Sequence, residues 1–272
     1  YAAPLSELSA ETRAEFEKQV HEKHLLASGQ KDGVLAPVSD VAFAELDLKL
    51  RIPRKSKEAQ KVLWFPVYDN DHPPRTLDPY QPHWLPAQGE RSGWKVSGTQ
   101  LHFDSLQQPV DYVILAGKEI RSGNSYNVRA GALPLVSDQR VRFVLTPQDG
   151  QGAVRVRLTK WRRSFWANIH IDGTITLSEG EEQTPDSGPF MATAKVRPFQ
   201  AGKPAALEFE NLDYRLTVRV DGSDVLASSS DPKSPAFYAP NVTALRKSPA
   251  ESTASPPRIY GELGSFEVTH LA

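Results

Sequence analysis

Between residues 94 and 270 the sequence is a succession of short segments in which apolar and polar residues alternate. The clearest are Arg140-Val-Arg-Phe-Val-Leu145 and Val154-Arg-Val-Arg-Leu158. Successive side chains of a β-strand point to opposite faces, so this period of two predicts strands with one dry and one wet face. Twelve strands are predicted: 94–96, 100–103, 111–115, 140–145, 154–159, 166–171, 174–177, 190–196, 206–210, 215–220, 224–227 and 265–270.

The connections between these segments favour antiparallel pairing. Asp172-Gly173 and Asp221-Gly222 stand between alternating segments, and Asp-Gly is typical of tight hairpin turns. Because no helical pattern separates the strands, they are expected to form two antiparallel sheets packed face to face. The predicted fold class is therefore mainly β, a concanavalin/laminin-G-like antiparallel β-sandwich (jelly roll) with a small N-terminal helical element.

Three parts are predicted along the chain. Residues 1–58 hold an N-terminal helix over residues 6–27, a short strand and a docking arm. Residues 59–93 are rich in proline and aromatic residues and are expected to be ordered but irregular, because proline cannot donate a backbone hydrogen bond. Residues 94–272 form the sandwich.

Smaller features complete this division. Residues 46–52 alternate strictly and predict a short strand. Ser56 is expected to cap a short helix that runs through Glu58 towards Trp64. The Ser/Pro-rich residues 228–257 are expected to form a long surface loop.

Composition excludes several classes of protein. The 272 residues carry 32 Lys and Arg against 33 Asp and Glu, a net charge of −1, so the basic surplus typical of a nucleic-acid binder is missing. The chain has no cysteine, which excludes disulfides, thiolate zinc sites and a cysteine nucleophile. No apolar run approaches the about 18 residues of a membrane helix, and no signal peptide is visible. Since the chain starts at Tyr1, it is expected to be a mature form, a fragment or an excised domain.

Two segments carry a resemblance to a known family. Ala59-Gln-Lys-Val-Leu-Trp-Phe-Pro-Val-Tyr-Asp-Asn-Asp71, preceded by Arg54-Lys55 and followed by prolines and Trp84, resembles a stretch that opens a large insertion in planctomycete-type signal peptidase I proteins. Leu207-Glu-Phe-Glu-Asn-Leu-Asp-Tyr-Arg-Leu-Thr-Val-Arg-Val-Asp-Gly222 is similar to a hairpin of the same insertion, a pattern that concanavalin-like sandwiches share. The resemblance spans about residues 50–270. It implies an extracytoplasmic, membrane-associated setting.

The catalytic motifs of that family are missing. Its nucleophile is a serine followed by methionine, whereas the single methionine of this chain, Met191, follows Phe190. The general-base lysine and the closing G-D-N box of the family also have no counterpart, because Ser122-Gly-Asn-Ser125 lacks the acidic residues. No catalytic residue is therefore carried over. The resemblance implies the non-catalytic part of such a protein, or a relative that never had the catalytic dyad.

Two acidic groups are candidate sites. Asp69, Asn70 and Asp71 could offer oxygen ligands to Ca²⁺, and the alternative is a turn in which these side chains cap the backbone. Glu208 and Glu210 project from one face of a predicted strand and invite a sugar-cleaving interpretation, in which one carboxyl group is the acid and the other the nucleophile. The alternative is an ordinary half-exposed strand.

One aromatic and basic group is the candidate binding site. Trp161, Arg162, Arg163 and Trp166 could stack on a sugar or another flat ligand, with the arginines as a hydrogen-bonding rim. The alternative is a hairpin whose aromatic side chains fill the core. Trp84 and Trp94 are expected in the core.

The function predicted from these features is a non-catalytic, extracytoplasmic module that binds a glycan or a protein, or an accessory subunit of a membrane-associated complex. No cofactor is expected apart from the Ca²⁺ alternative, and no nucleic acid. Two enzymatic alternatives stay open: part of a signal peptidase whose Ser/Lys dyad lies outside this chain, and a sugar-cleaving sandwich that uses Glu208 or Glu210.

Overall fold

A computed structural model of the chain divides into two compact units, Tyr1–Ile52 and Pro53–Ala272. It describes residues 14, 18, 55–56, 58–60, 64, 66–72, 84–115, 138–160, 163–180, 191–229, 231, 233–239 and 255–272. In the first unit Ala14 and Lys18 are helical, as the predicted helix over residues 6–27 requires; the strand predicted at 46–52 lies outside the described residues. The three-part division at residues 58 and 93 stays a prediction.

The second unit contains two antiparallel sheets of seven strands each. In spatial order, sheet I consists of β1 (Trp84–Pro86), β4 (Val110–Leu115), β13 (Arg258–Glu262), β6 (Ala153–Lys160), β7 (Arg163–His170), β8 (Thr174–Glu179) and β9 (Met191–Lys195). Sheet II consists of β12 (Ser223–Ala227), β11 (Arg215–Val220), β10 (Ala205–Leu212), β5 (Gln139–Pro147), β14 (Ser265–Thr269), β3 (Gln100–Asp104) and β2 (Trp94–Ser97). The predicted antiparallel β-sandwich is confirmed.

All twelve predicted strands are present, with ends that differ by up to three residues. The alternation that predicted them places Val141, Phe143 and Leu145 of β5 in the core. At the hairpin of β11 and β12, Asp221 and Gly222 have φ angles of 48° and 78°. Turns with this left-handed backbone match the twist of the two strands that they connect, and glycine adopts that backbone most readily. This explains why Asp-Gly predicts a hairpin turn.

Two strands were not predicted. β1 lies within the proline-rich segment and pairs only with β4, so Pro86 stands at a sheet edge, where its missing N–H is tolerated. β13 is central in sheet I, between β4 and β6. It follows directly on the predicted loop 228–257. That segment is not wholly a surface loop, since Tyr238 is buried and exchanges hydrogen bonds with Asn211.

The core between the sheets is built on aromatic rings. Trp94 and Phe103 have ring centroids 5.2 Å apart, and Phe103 stacks on Phe266 at 5.1 Å. Gly261 of β13 leaves the space that the Phe103 ring occupies. Trp84 and Trp94 are both buried, as predicted. The three rings Trp94, Phe103 and Phe266 belong to sheet II, and the close approach of Gly261 to Phe103 connects them to sheet I.

The segment before β1 is attached to the sandwich by specific hydrogen bonds. Ser56 Oγ accepts a hydrogen bond from the backbone N–H of Ala59, as expected of a helix cap. Asn70 is fully buried, and its side-chain amide donates a hydrogen bond to the carbonyl oxygen of Thr99 at 2.7 Å. Its backbone N–H donates a hydrogen bond to the carbonyl oxygen of Leu271. Among the described residues, no helix is both long enough and apolar enough to cross a membrane.

Candidate functional site

The outer face of sheet I carries an unusual set of polar and aromatic side chains. We call it the polar face and define it by the outward side chains of β4, β13, β6, β7 and β8. In the strand register, Arg157 lies opposite Arg258 on one side and Trp166 on the other. One row along, Arg155 lies between Tyr260 and Asn168. Inward neighbours such as Val156 fill the core, so strand alternation aims this whole set away from it.

An aromatic strip crosses the polar face. The rings of Tyr112 and Tyr260 have centroids 4.8 Å apart, and Tyr260 lies 5.2 Å from Trp166. The guanidinium of Arg258 sits 4.7 Å from the centroid of the Tyr112 ring. Rings at these distances support one another; Tyr112 is half-buried, whereas Tyr260 and Trp166 are buried behind it.

Hydrogen bonds hold the polar side chains in place. The amide of Asn168 donates to Thr176 Oγ1 at 3.1 Å, and Trp166 Nε1 donates to the carbonyl oxygen of Gly180 at 2.9 Å. Arg155 forms an ion pair with Glu262 across the strands. The orientation of these groups is therefore fixed before any ligand arrives.

The centre of the polar face is buried although it points away from the core. Trp166 is 1% exposed and Arg157 6%, so the wet face predicted for β6 is polar but not solvated at its centre. Ser178 is fully buried and its Oγ has no hydrogen-bond partner; the same holds for Nε of the half-buried Arg155. Buried polar atoms are normally paired, so these two atoms, which are also inaccessible to solvent, are exceptions within the outer face of sheet I.

Of the sequence-predicted binding residues, the two that the structure describes, Arg163 and Trp166, lie on opposite sides of β7. Arg163 shares its side of β7 with the buried Phe165, whereas Trp166 belongs to the polar face. The Arg163 guanidinium bonds both carboxylate oxygens of Glu179 at 2.7 Å and lies over the rings of Phe165 and Tyr238. Arg163 thus closes one end of the core. Trp161 and Arg162 lie outside the described residues.

The predicted carboxylate pair is bound to one arginine. Arg219 contacts Glu208 through Nη1, Glu210 through Nη2 at 2.6 Å and Asp224 through Nε at 2.6 Å. These bonds, that to Glu210 first, raise the pKa of Arg219 and keep the guanidinium charged. The arrangement is an ion-pair network on the outer face of sheet II. It leaves neither carboxyl group uncommitted for acid catalysis.

The predicted calcium ligands serve separate contacts. Asp69 Oδ1 accepts the backbone N–H of Asp71, Asn70 Oδ1 accepts the hydroxyl of Tyr68, and Asp71 Oδ2 lies 2.6 Å from His270 Nδ1. Of these three contacts, the one made by Asp69 is a backbone cap of the kind that the alternative describes. Within the part of the chain that the structure describes, no three His, Asp or Glu side chains form a group suited to a metal ion.

Several residues of the polar face went unnoticed in the sequence. Tyr112 and Asn168 lie in predicted strands, and their positions relative to Val113 and Ala167 already marked them as outward-facing. The Tyr260 side chain was missed because β13 was not predicted. The signal was the alternation of Arg258, Tyr260 and Glu262 with Ile259 and Gly261, weakened by the glycine.

The comparisons with known proteins found similarities to solved structures. No family model and no curated protein matches the chain. Among solved structures it is similar to the carbohydrate-binding module CBM66 from Bacillus subtilis, at 10% identity and a TM-score of 0.43 over 70% of this chain and 93% of that one. It is also similar to the Caenorhabditis elegans galectin LEC-6, at 16% identity and a TM-score of 0.35 over 65% of this chain and 99% of that one. A third similar structure is the Crh5 transglycosylase in complex with NAG, at 11% identity and a TM-score of 0.37 over 69% and 79% of the two chains. At these identities and TM-scores the similarities carry no argument about a ligand or an activity of this chain.

Proposed function

We propose that the chain is a glycan-binding β-sandwich module whose binding surface is the polar face of sheet I. The observation that carries this proposal is the half-buried Tyr112 ring, which is backed by the buried rings of Tyr260 and Trp166 and lies near the half-buried Arg155. A sugar ring offers C–H groups to aromatic rings and hydroxyl groups to hydrogen-bonding side chains.

One side of the polar face is suited to ligand entry. Arg155, Thr176 and His170 are half-buried, whereas Arg157 and Trp166 are buried. A glycan approaching from this side meets Arg155 and Tyr112 first. Sites of this type combine apolar contact area with a few placed polar groups, which set orientation and specificity.

A glycan array followed by calorimetric titration of the best ligand tests the proposal. Arg155→Gln is expected to weaken binding about tenfold, because a charged hydrogen bond to the ligand is lost. Tyr112→Ala is expected to weaken it to a similar extent, because part of the aromatic strip is removed. Circular dichroism verifies that both variants are folded.

Arg215→Gln is the matched control, because Arg215 is exposed at the start of β11 in the other sheet. Its affinity should equal that of the unmodified chain. Failure to bind any glycan would refute the proposed function. Equal affinities for the control and the two polar-face variants would refute the proposed surface.

We also propose that the module works outside the cytoplasm, within or beside a membrane-associated assembly related to the signal peptidase I insertion. The support is the resemblance of two segments that belong to one compact unit. The first contains Asn70, which bonds Thr99 and Leu271, and the second forms the hairpin of β10 and β11. A protein partner in that assembly is part of this proposal.

The parent gene and a cell fractionation test this setting. A membrane helix and a Ser-Met motif encoded upstream would support the peptidase relationship, and their absence would remove it. Recovery in the cytoplasmic fraction would contradict the extracytoplasmic location. Co-purification at fixed stoichiometry would distinguish an accessory subunit from a free lectin.

A further inference from the structure

One end of the sandwich carries a group of exposed aliphatic side chains. Leu106 is 90% exposed in the turn between β3 and β4, and Leu263 is 59% exposed in the turn between β13 and β14. Val110, at the start of β4, is 46% exposed. We call these three side chains the apolar tip. Apolar side chains scattered singly are ordinary on protein surfaces, whereas adjoining ones mark a site of contact.

The turns that carry the apolar tip are attached to one another. The backbone N–H of Ser105 donates a hydrogen bond to the carbonyl oxygen of Gly264 at 3.0 Å, and that of Leu263 donates to the carbonyl oxygen of Pro109 at 3.0 Å. The turn of residues 148–152 packs so closely on Gly264 that any side chain there would collide with its backbone. The tip therefore stands on a rigid base and would lose little conformational freedom on binding.

Leu263 displays its side chain at a conformational cost. Its φ angle is 49°, in the left-handed region that glycine, asparagine and aspartate adopt more readily. Among the described residues, the other non-glycine residues with positive φ are not aliphatic: Asp213, Tyr214, Asp221 and His270. Asparagine would fit this backbone better than leucine and would be better hydrated, so the turn by itself does not require a leucine. Strained residues of this kind cluster at functional sites.

The charges on the described loops at this end of the sandwich nearly cancel. Glu262 is paired with Arg155, and Asp172 is paired with Lys195. The helical turn at residues 89–91 holds one charge of each sign. Outside these pairs, the loops carry three acidic and two basic side chains: Asp104, Asp149, Asp221, Arg197 and Lys203. Charge would therefore attract an anionic surface only weakly, and apolar contact must supply most of the binding at the tip.

The size and shape of the apolar tip favour a membrane over a protein partner. A stable protein interface buries about 800 Å² on each side and engages about 20–30 residues. Three aliphatic side chains bordered by charges of both signs do not provide such an area. Because Leu106 is 90% exposed, it touches almost nothing of its own chain and projects outward. A bilayer accepts a projecting apolar group without a matching groove.

From these observations we infer that the apolar tip inserts into the surface of a zwitterionic phospholipid bilayer. Leu106 and Leu263 would enter the boundary of the acyl chains, and the uncharged serine and glutamine side chains of residues 105–108 would lie among the head groups. The inference goes beyond the proposed membrane-associated setting, because lipid itself is the partner. It does not rest on glycan binding, and vesicles without glycan are the probe.

Co-sedimentation of the full chain with sucrose-loaded phosphatidylcholine vesicles tests the inference. The partition coefficient should be on the order of 10³ M⁻¹, since the tip buries fewer carbon atoms than a single myristoyl chain, which gives about 10⁴ M⁻¹. Leu106→Gln should lower it about tenfold, because an apolar side chain no longer leaves water. Leu85→Gln is the matched control, because Leu85 is 43% exposed on β1 and lies opposite Ile114, at the other end of β4 from Val110. Thermal unfolding verifies that both variants are folded.

Leu263→Asn separates contact with lipid from a structural role. Asparagine adopts the left-handed backbone more readily, so the free energy of unfolding should stay equal or rise while vesicle binding falls about tenfold. A lower free energy of unfolding, absence of vesicle binding, or equal binding by Leu106→Gln and Leu85→Gln would overturn the inference. Binding only to vesicles that contain phosphatidylglycerol, lost at high salt, would assign the contact to Arg197 and Lys203 and would overturn it as well.

Discussion

Replacement of Gly261 by alanine is expected to destabilise the sandwich through one identifiable collision. A Cβ atom at this position would lie 2.5 and 2.6 Å from the Cδ atoms of the Phe103 ring. Ordinary carbon contacts are about 3.5–4.0 Å, so the ring would have to move by roughly 1 Å. Phe103 is fully buried between Trp94 at 5.2 Å and Phe266 at 5.1 Å, so this movement disturbs both neighbours.

The expected loss in the free energy of unfolding is about 3 kcal/mol, the upper end of the usual range for overpacking. The backbone adds nothing to it, because Gly261 is not in the left-handed region. In a unit of this size, 1 kcal/mol corresponds to about 2–4 °C in Tm, so Tm should fall by about 6–12 °C. Urea unfolding and calorimetry give the two values independently.

Two further variants isolate the collision. Gly150→Ala is the control, because its Cβ would meet nothing within 4 Å, and it should stay within about 0.5 kcal/mol of the unmodified chain. Phe103→Leu combined with Gly261→Ala should recover part of the loss, giving a favourable coupling of at least about 0.5 kcal/mol. A Gly261→Ala effect no larger than that of the control, or strict additivity in the double variant, would refute the reasoning.

Two other predictions concern charged side chains. Arg219→Gln should lower the free energy of unfolding by about 3 kcal/mol, because Glu208, Glu210 and Asp224 lose a shared partner that is about three-quarters buried. Urea unfolding measures this loss, and a loss smaller than about 1 kcal/mol would contradict the prediction. Burial lowers the pKa of Lys160 in the folded chain below the 10.5 of the unfolded chain. At pH values between the lowered pKa and 10.5, the unfolded chain binds more protons than the folded one. The free energy of unfolding therefore rises with pH in this range. Lys160→Met should lack this rise, and the difference between the two chains in urea unfolding up to pH 10.5 should grow with pH; a constant difference would contradict it.

Local patterns in the sequence were sufficient to predict twelve of the strands and the Asp-Gly turns between them. The alternation in Arg140–Leu145 is visible without knowledge of any partner strand, because strand side chains alternate wherever one face is buried. The Asp221-Gly222 turn is likewise readable, because its left-handed backbone restricts the residue types. β13 could not be predicted on this basis, since Gly261 weakens its pattern and its burial depends on β4 and β6.

The sequence did not indicate which side chains share a surface with Trp166. Trp166 was selected as a binding residue and does lie on the polar face, but its neighbours there are Tyr260 and Arg157, not Arg163. The predicted strand began at Trp166, whereas β7 begins at Arg163. Arg163 was therefore not recognised as a residue on the opposite side of the same strand. The residue at which a strand begins therefore determined which residues were assigned to the site. The ends of strands are the part that a sequence predicts least well.

By itself the sequence determined that this chain forms antiparallel sheets with tight hairpins, because period-two alternation and turn chemistry are local properties. It also determined that disulfides and thiolate chemistry are absent, since there is no cysteine. Only the tertiary structure decided which outward residues meet across strands, that Trp166 and Arg157 are buried outside the core, and that Leu106 and Leu263 project from neighbouring turns. These relations depend on strand order and register, which join residues more than 50 positions apart, and no local pattern specifies them.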